Sequence, residues 1–351
     1  MTKQDGIPTN HTSLYVPEGY ATDDEPDDKH DWINHSGISL NNSRVAWRYG
    51  LTAGGDSRLP KTMVAGPWVG EFGYEIMAWQ GFVRMLSRNF QETVVICQPG
   101  HEYMYQDFAT RIVKWDMPAG NTALWQRRTQ SDEAGGDSCA REAKRIMSGA
   151  GEYTHMNPYW VSTAKDMPHE RWRGCSCYAQ EFVKFGNRPP GRRETPKYMV
   201  IHARDTNKSH TGHVNWSREN WTELVKRFEG WDISCIGSMD GSMLIEGCDD
   251  LRGSTLENLA TYLSQVDLVV GPSSGPMHFA SLCCTPHLVW SAYNISRDLY
   301  TRSWNPFFTP VTVVEPEDGS KAWQMRESWS PGVDMIETEI RKMLVYGGFD
   351  D

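Results

Sequence analysis

The stretch Gln265–Ala280 combines a short apolar run of strand length, the chain-breaking pair Gly271-Pro272 and the start of a helix. Three small residues come between the break and the helix: Ser273, Ser274 and Gly275. We expect them to present free backbone N–H groups, with His278 about one helical turn further on. Unpaired N–H groups and the positive end of a helix dipole suit an anionic ligand. An ordinary strand–turn–helix junction, with His278 as a hydrogen-bonded core residue, is the alternative.

Two loops upstream also follow predicted strands and carry groups that suit a nucleotide. The loop after strand Lys197–His202 holds two cations fitted for phosphate and two neighbouring histidines: Arg204, Lys208, His202 and His210. After strand Asp232–Gly237, Asp240 or Glu246 could accept hydrogen bonds from ribose hydroxyls. Because ligands of α/β sheets bind at the carboxyl ends of the strands, the three loops together predict a cradle for a nucleoside diphosphate. An interdomain salt bridge is the alternative role for the two cations.

Motifs that would indicate other nucleotide enzymes are missing. The chain has neither a Walker A pattern nor a complete Gly-x-Gly-x-x-Gly, which argues against a P-loop enzyme and against a dinucleotide-dependent epimerase. No Asp-x-Asp follows a predicted strand, so a metal-bridged pyrophosphate is disfavoured. His202, His210 and His213 lack a carboxylate at fixed spacing, and we therefore expect no metal site and no resident cofactor.

Composition limits the class of protein. A chain of 351 residues is long enough for two domains. Its net charge of −10 disfavours a surface that binds nucleic acid throughout, although a local basic groove is compatible with it. No apolar run approaches the ~18 residues of a membrane span, and residues 1–50 lack a signal-peptide core, so we expect a cytoplasmic protein. Eight scattered cysteines are typical of free thiols in a reducing compartment, and the 15 tryptophans are expected mainly in cores.

Strands alternate with helices from about residue 197 to residue 290, which predicts a parallel, doubly wound sheet. The helices expected there are Ser217–Phe228, a short one after Asp232–Gly237, Leu256–Ser264 and Met277–Leu282, and short strands are expected at Leu251–Gly253, Val266–Gly271 and His287–Trp290. In the first half we predict strands Thr62–Ala65 and Thr93–Gln98 and helices Tyr74–Asn89, Tyr103–Ile112 and Ser138–Met147. A last helix, Val333–Leu344, is expected to pack back on the first half.

Two stretches resemble the heptosyltransferase-type (family 9-like) GT-B glycosyltransferases. Leu251–Pro286 is similar to that family's donor-site signature, and His202–Trp221 resembles its loop followed by a Trp-x-x-x-x-Trp helix start. Gly70-Glu71 stands where the family usually has Gly-Asp. Ser273 stands where the family usually has an Asp that contacts the sugar, and the donor sugar therefore stays open.

The resemblance implies an α/β fold with two Rossmann-like domains that face each other across a cleft. We expect a polar leader over residues 1–60, an acceptor-binding domain over 61–190, a nucleotide-sugar-binding domain over 191–330, and a C-terminal helix over 331–351. The implied reaction is an inverting, metal-independent transfer from a nucleotide-sugar co-substrate to an acceptor hydroxyl. Ser254, in the resembling stretch, joins the predicted donor-binding residues.

Sugar transfer needs a base that takes the acceptor proton and dipoles or cations that hold the leaving diphosphate. Glu71, in a glycine-rich loop at a strand end, is the predicted base, and Glu75 is the second candidate. A helix-capping acid is the alternative role for Glu71.

The acceptor predicted from the resemblance is a saccharide or glycan. A hydroxymethylated base in DNA is a second interpretation, since a basic strip and the aromatic stretch Tyr153–Trp172 could bind nucleic acid. The strip comprises Arg171, Arg173, Lys184, Arg188, Arg192 and Arg193. A non-catalytic nucleotide-sugar-binding module is the third interpretation, and it predicts donor binding without turnover.

Overall fold

The computed structural model describes residues 13–15, 33–34, 37–38, 61–68, 72–116, 139, 141–156, 180–188, 198–206, 215–291, 297, 300–301, 304–315 and 329–346. The strands are β1 (Ser13–Tyr15), β2 (Ile33–Asn34), β3 (Gly37–Ile38), β4 (Thr62–Ala65), β5 (Glu92–Cys97), β6 (Arg111–Lys114), β7 (Tyr153–Met156), β8 (Gln180–Phe182), β9 (Tyr198–Ile201), β10 (Asp232–Cys235), β11 (Asp249–Asp250), β12 (Leu268–Pro272), β13 (His287–Trp290) and β14 (Val311–Val314). The helices are α1 (Phe72–Tyr74), α2 (Gln80–Ser87), α3 (141–146), α4 (Arg218–Arg227), α5 (Leu256–Leu263), α6 (Gly275–Leu282) and α7 (Val333–Tyr346).

Two parallel sheets form the framework of the protein. The first has the order β6-β5-β4-β7, and the second has the order β11-β10-β9-β12-β13-β14. In each sheet the chain begins in the middle, runs to one edge and then returns to fill the other side. That order is the one of the Rossmann fold, and it creates a crevice where the direction reverses. The predicted fold class, two Rossmann-like halves, is confirmed.

Continuous apolar runs explain the central strands. In β5 the five residues after Glu92 are buried, and in β12 all five residues are buried, as expected for parallel strands covered on both faces. Ser217 is the N-cap of helix α4, and its hydroxyl accepts a hydrogen bond from the N–H of Asn220. This N-cap fixes the helix start that the sequence predicts.

The tryptophans of the Trp-x-x-x-x-Trp pattern lie in the core of the second half. The ring of Trp216 is 5.0 Å from that of Trp221 and 4.8 Å from that of Trp290, measured between centroids. All three side chains are buried. The pattern is therefore a packing feature at this position, as expected for most tryptophans of the chain.

Several predicted elements differ from the structure. Tyr103–Ile112 is not a helix, because only Glu102–Met104 forms a 3₁₀ turn and the chain then extends into β6, which pairs with β5. The helix expected after β10 is a turn, in which the Ser242 hydroxyl donates to the Ser238 carbonyl, and the short strand beyond it is β11 rather than Leu251–Gly253. Local propensity is overridden there by strand pairing and by side-chain hydrogen bonds.

The helix predicted at Tyr74–Asn89 is present, but it begins two residues earlier and contains an irregular turn. Segment α1 continues into a π turn, Glu75–Trp79, which continues into α2. One turn of wider hydrogen bonding shifts the side chains that follow it, and such turns occur often at functional sites. No periodic pattern in the sequence marks this turn.

The final helix α7 packs on the second sheet, and the expectation that it returns to the first half is wrong. Ile336, Ile340 and Met343 are buried in the core that contains Trp290. Arg227 of α4 also bonds Glu337 of α7 at 2.8 Å. The apolar face of α7 and this ion pair both direct the helix to the second half.

Three further predictions concern the leader, the cysteines and membrane-spanning helices, and each is compared with the described residues only. In the leader, β1 pairs antiparallel with β8 and β2 pairs with β3. The cysteines that the structure describes are free thiols: Cys97, Cys139, Cys235, Cys248, Cys283 and Cys284. Within the described part of the chain, none of the helices combines the length and the hydropathy that a bilayer crossing demands.

Candidate functional site

A cavity of about 650 Å³ lies between the two halves, at the carboxyl ends of both sheets. The first half contributes Phe72–Tyr74 and Pro99–His101 to its wall. The second half contributes residues from the loops after β9, β10 and β12, which are neighbouring strands. The three loops predicted to form one cradle are therefore brought together, at the crevice where the second sheet reverses its direction.

The backbone donors at the start of α6 are fewer than the sequence predicts. The N–H of Ser273 donates to the carbonyl of Trp290 at 2.9 Å, and the N–H of Ser274 donates to the Tyr300 hydroxyl at 3.1 Å. Among the described residues, the N–H of Gly275 has no hydrogen-bond partner. The expectation of three free donors is therefore wrong for the two serines, and the end of α6 presents Gly275 to the cavity.

The side chain of Ser274 fixes the loop to the neighbouring strand β9. Its hydroxyl lies 2.8 Å from Nδ1 of His202, the residue that follows β9. Burial, and to a smaller extent the positive charge of Arg204, lowers the pKa of His202 to about 3. His202 is thus neutral at pH 7, and its hydrogen bond to Ser274 supports the start of α6.

Arg204 lies on the cavity wall two residues beyond His202 and is mostly buried. Its backbone N–H donates to the carbonyl of His202 at 2.8 Å, and its backbone also bridges to Ser242 of the turn after β10. The loops after β9 and β10 are therefore tied to each other at this residue. A guanidinium on this wall has the charge and the paired donors that suit a phosphate group.

His278 is brought to the same wall and is only 4% exposed. Its ring stacks on Tyr300 at 4.1 Å with an interplanar angle of 9°, and it meets the edge of Trp304 at 4.6 Å. Nδ1 has no hydrogen-bond partner among the described residues. Burial, followed by the nearby His287, holds the pKa of His278 well below its usual range. The ring is therefore neutral and has an unused nitrogen.

Glu75 lies on the opposite side of the cavity, but it is fully buried. One carboxylate oxygen is 2.7 Å from Nδ1 of His101, and the other accepts a hydrogen bond from the Tyr105 hydroxyl at 2.8 Å. The carboxylate that the sequence offers as a second candidate base therefore reaches the cavity only through His101, whose side chain lines it.

Sequence reasoning missed His101. Glu75 and His101 come from different elements, so no spacing pattern connects them. The signal that could have found His101 is its position just after Pro99-Gly100, where strand β5 ends at the same sheet edge as β4. Side chains at that edge face the crevice.

The remaining predicted residues are distributed as follows. Ser254 lines the cavity, and its hydroxyl donates to the Leu251 carbonyl at 2.7 Å. Asp240 is exposed on the turn between the lining residues Ser238 and Gly241, and it does not itself line the cavity. Glu71, Lys208, His210 and His213 lie outside the described residues.

Among the apolar residues of the cavity wall are Leu251, Leu256 and Leu259, together with Pro99 of the first half. A flat aromatic ring such as a nucleobase fits such a surface. Of the basic strip, Lys184 and Arg188 are described, and Arg188 donates to the Val266 carbonyl at 2.7 Å. Among the residues that can be described, no three His, Cys, Asp or Glu side chains gather as a metal site.

Comparison with known proteins gives structural likeness only. No protein-family profile and no curated protein matches the chain. A glycosyl transferase of family 9 from Veillonella parvula is 13% identical with a TM-score of 0.48, and the match covers 83% of this chain and 98% of that one. The ADP-heptose lipopolysaccharide heptosyltransferase II of E. coli is 13% identical with a TM-score of 0.47, covering 82% of this chain and 99% of that one. The iron-containing dodecameric glycosyltransferase TibC of enterotoxigenic E. coli is 12% identical with a TM-score of 0.44, covering 74% and 66%.

Proposed function

We propose that this protein is a glycosyltransferase that moves a sugar from a nucleotide-sugar donor to an acceptor hydroxyl. The observation that carries the proposal is the composition of one cavity wall. The end of α6 with its unpaired Gly275 N–H, the guanidinium of Arg204 and the apolar surface of Leu251, Leu256 and Leu259 lie together at the sheet crevice. A nucleoside diphosphate needs this combination: an anion site beside a slot for a base.

In this arrangement the diphosphate binds at the N-terminus of α6 and at Arg204, and the nucleobase packs on the three leucines. Lys208, from the loop after β9, is a predicted second cation for the diphosphate. His278 lies on the same wall, and its ring supports the site by stacking on Tyr300, while its buried Nδ1 has no partner among the described residues. The sugar then points toward Phe72–Tyr74 and His101 of the first half, where the acceptor enters.

We propose that the transfer is inverting and independent of metal. The diphosphate is held by the second half and the acceptor by the first half, so the acceptor oxygen attacks the anomeric carbon on the face away from the leaving group. The helix end and the cations stabilise the negative charge that develops on the diphosphate, which is the task a metal ion performs in other transferases. Glu71, the base predicted from the sequence, lies outside the described residues, and Glu75 is held between His101 and Tyr105.

Ligand-dependent thermal stability tests donor binding. A donor at 100 times its Kd raises the free energy of unfolding by about 2.7 kcal/mol, so UDP-, GDP-, ADP- and CMP-sugars can be compared directly. Arg204→Ala should lose the stabilisation by the best donor, because a mostly buried cation is removed from the anion site. Arg341→Ala, on the exposed face of α7, is the matched control and should keep it. If no nucleotide sugar stabilises the parent, the proposal is wrong.

Turnover distinguishes the proposed enzyme from a non-catalytic binding module. Release of nucleoside diphosphate is measured with the best donor, first alone and then with oligosaccharides or with duplex DNA containing hydroxymethylated pyrimidine. The assay is repeated with EDTA, and the anomeric configuration of the product is determined by NMR. Retention of configuration, or loss of activity in EDTA that added metal restores, would contradict the finer parts of the proposal. Donor binding without any release would favour the module.

A further inference from the structure

A carboxylate and a histidine form a pair at the acceptor side of the cavity. Glu75 begins the π turn, and His101 follows the end of β5. The carboxylate has no exposed surface, and both its oxygens are hydrogen-bonded. The imidazole is about 20% exposed and lines the cavity. The pair therefore joins a shielded negative charge to a ring that a substrate can reach.

The hydrogen bonds determine where the ring proton lies. A carboxylate oxygen accepts hydrogen bonds, and we therefore assign the proton that bridges to Glu75 to Nδ1 of His101. Tyr105 donates to the other oxygen of Glu75 and holds the carboxylate in place. In the neutral ring Nε2 is then left without a proton. That nitrogen can accept a proton from a hydroxyl group.

The ring is also held against the donor-binding half. The centroid of its imidazole lies 5.2 Å from that of the Phe72 ring. The centroid of the Phe72 ring lies 6.2 Å from that of Phe279 in α6. The carbonyl of Gly100, the residue before His101, accepts a hydrogen bond from the N–H of Leu256 at 3.4 Å. Both contacts connect the histidine to the elements that line the proposed donor site.

We propose that His101 is the general base of the transfer and that Glu75 is its positioning residue; the inference depends on the proposed function. Nε2 of His101 takes the proton of the acceptor hydroxyl while the acceptor oxygen bonds to the anomeric carbon. The bond between that carbon and the phosphate oxygen breaks, and its electron pair leaves with the nucleoside diphosphate. Glu75 stabilises the imidazolium, which afterwards returns the proton to solvent.

The groups around His101 agree with this role. Burial disfavours the charged ring, but the Glu75 carboxylate and, more weakly, Glu102 outweigh burial and raise the pKa of His101 above its ordinary value. Glu102 is itself paired with Lys114 of β6 at 2.5 Å. Tyr105 and Cys97 lie beside Glu75 and stay protonated, because burial raises the pKa of each. Across the cavity stand the neutral His202 and His278 and the cation Arg204.

Three variants test the pair, with release of nucleoside diphosphate as the assay. His101→Asn can keep the hydrogen bond to Glu75 but has no basic nitrogen, and we expect its kcat to fall about 10²- to 10⁴-fold. Its donor affinity, measured by thermal stabilisation, should not change. Glu75→Gln can donate to Nδ1 and leave the proton on Nε2, so we expect a comparable loss of kcat through the wrong tautomer. Glu75→Asp keeps the carboxylate and should recover part of the rate.

The pH dependence separates this role from a merely structural one. In the parent, kcat should rise with pH through the pKa of His101, because only the neutral ring accepts a proton. In Glu75→Gln the pKa of His101, followed by NMR, should fall, since the charge that opposes burial is gone. Glu142→Gln is the matched control: it removes a carboxylate of the first half that pairs with Arg145 and does not line the cavity, and the kcat should stay near that of the parent.

The outcomes distinguish the two proposals. If the parent releases no nucleoside diphosphate with any donor and acceptor, the proposed function fails and the base assignment fails with it. If the parent is active and His101→Asn retains its full rate, only the base assignment is wrong. Loss of activity in Glu71→Gln together with full activity in His101→Asn would assign the base to Glu71.

Discussion

Replacing Gly275 by alanine should disturb the junction between the two halves of the protein. A β-carbon at this position would lie 2.6 Å from Cδ1 of Phe72 and 3.1 Å from the backbone nitrogen of Gly73. Gly275 begins α6, whereas Phe72 and Gly73 belong to α1 of the first half. The two helix starts approach so closely because the residue between them has no side chain.

The size of the effect follows from these distances. Ordinary carbon contacts begin near 3.4 Å, so Phe72 and the backbone of α1 must both retreat by several tenths of an ångström. Overpacking of this kind costs about 1–3 kcal/mol. In the proposed function the donor binds at the start of α6, where Gly275 contacts Phe72. If binding requires this contact to be intact, the same ~1–3 kcal/mol weakens donor affinity about 5- to 150-fold. Alanine is a good helix former, so the loss cannot come from helix propensity.

Urea unfolding and donor titration measure the two effects. Gly151→Ala is the control, because a β-carbon there meets nothing within 4 Å. The double variant Phe72→Ala with Gly275→Ala should be less destabilised than the two single variants added together, since the nearest clashing atoms are removed. Parental stability and parental donor affinity in Gly275→Ala would refute the tight junction and the donor site built on it.

Two further predictions concern stability. Burial lowers the pKa of His287 to about 4, although its hydrogen bond to the Thr285 carbonyl works in the opposite direction. In the unfolded chain this histidine binds a proton near pH 6.5, so the free energy of unfolding should fall as the pH drops from 6.5 toward 4. The fall is up to about 1.4 kcal/mol per pH unit for this residue. His287→Gln should reduce this slope, which is measured by urea unfolding at several pH values. Trp290→Ala removes a buried ring that contacts Trp216 and Trp221 and should cost about 3–5 kcal/mol, measured as a lower urea midpoint; a loss below 1 kcal/mol would contradict the packing.

The strongly periodic part of the chain was predictable from the sequence. The strand His287–Trp290 is as predicted, and α4, α5 and β12 lie within two residues of their expected bounds. Apolar runs and N-caps are local signals. They predict an element correctly where the local preference of the segment agrees with its place in the fold. The strand β6 was missed because its residues are only partly buried and carry no strong apolar pattern.

The candidate site was predictable where one strand and its loop supply it, and not where two elements meet. Ser274, Gly275 and His278 lie within five residues of one another, and the structure places them on one wall. The bond between Glu75 and His101 joins residues 26 positions apart and depends on a π turn without a sequence signature. Likewise, no local pattern in the sequence shows that the N–H of Ser274 donates a hydrogen bond to the Tyr300 hydroxyl.

The histidines of the cavity differ in a way that assigns a side to each half. His202 and His278 belong to the second half, where burial removes their charge and leaves the positive end of α6 and Arg204 to meet an anion. His101 belongs to the first half, where a buried carboxylate favours its protonated form. When the environments of titratable groups shift their pKa values in opposite directions, the groups can take separate acid and base roles. In the proposed transfer, the negative charge of the leaving diphosphate is therefore attracted to the second half and the acceptor proton to the first half, so both are stabilised as they form.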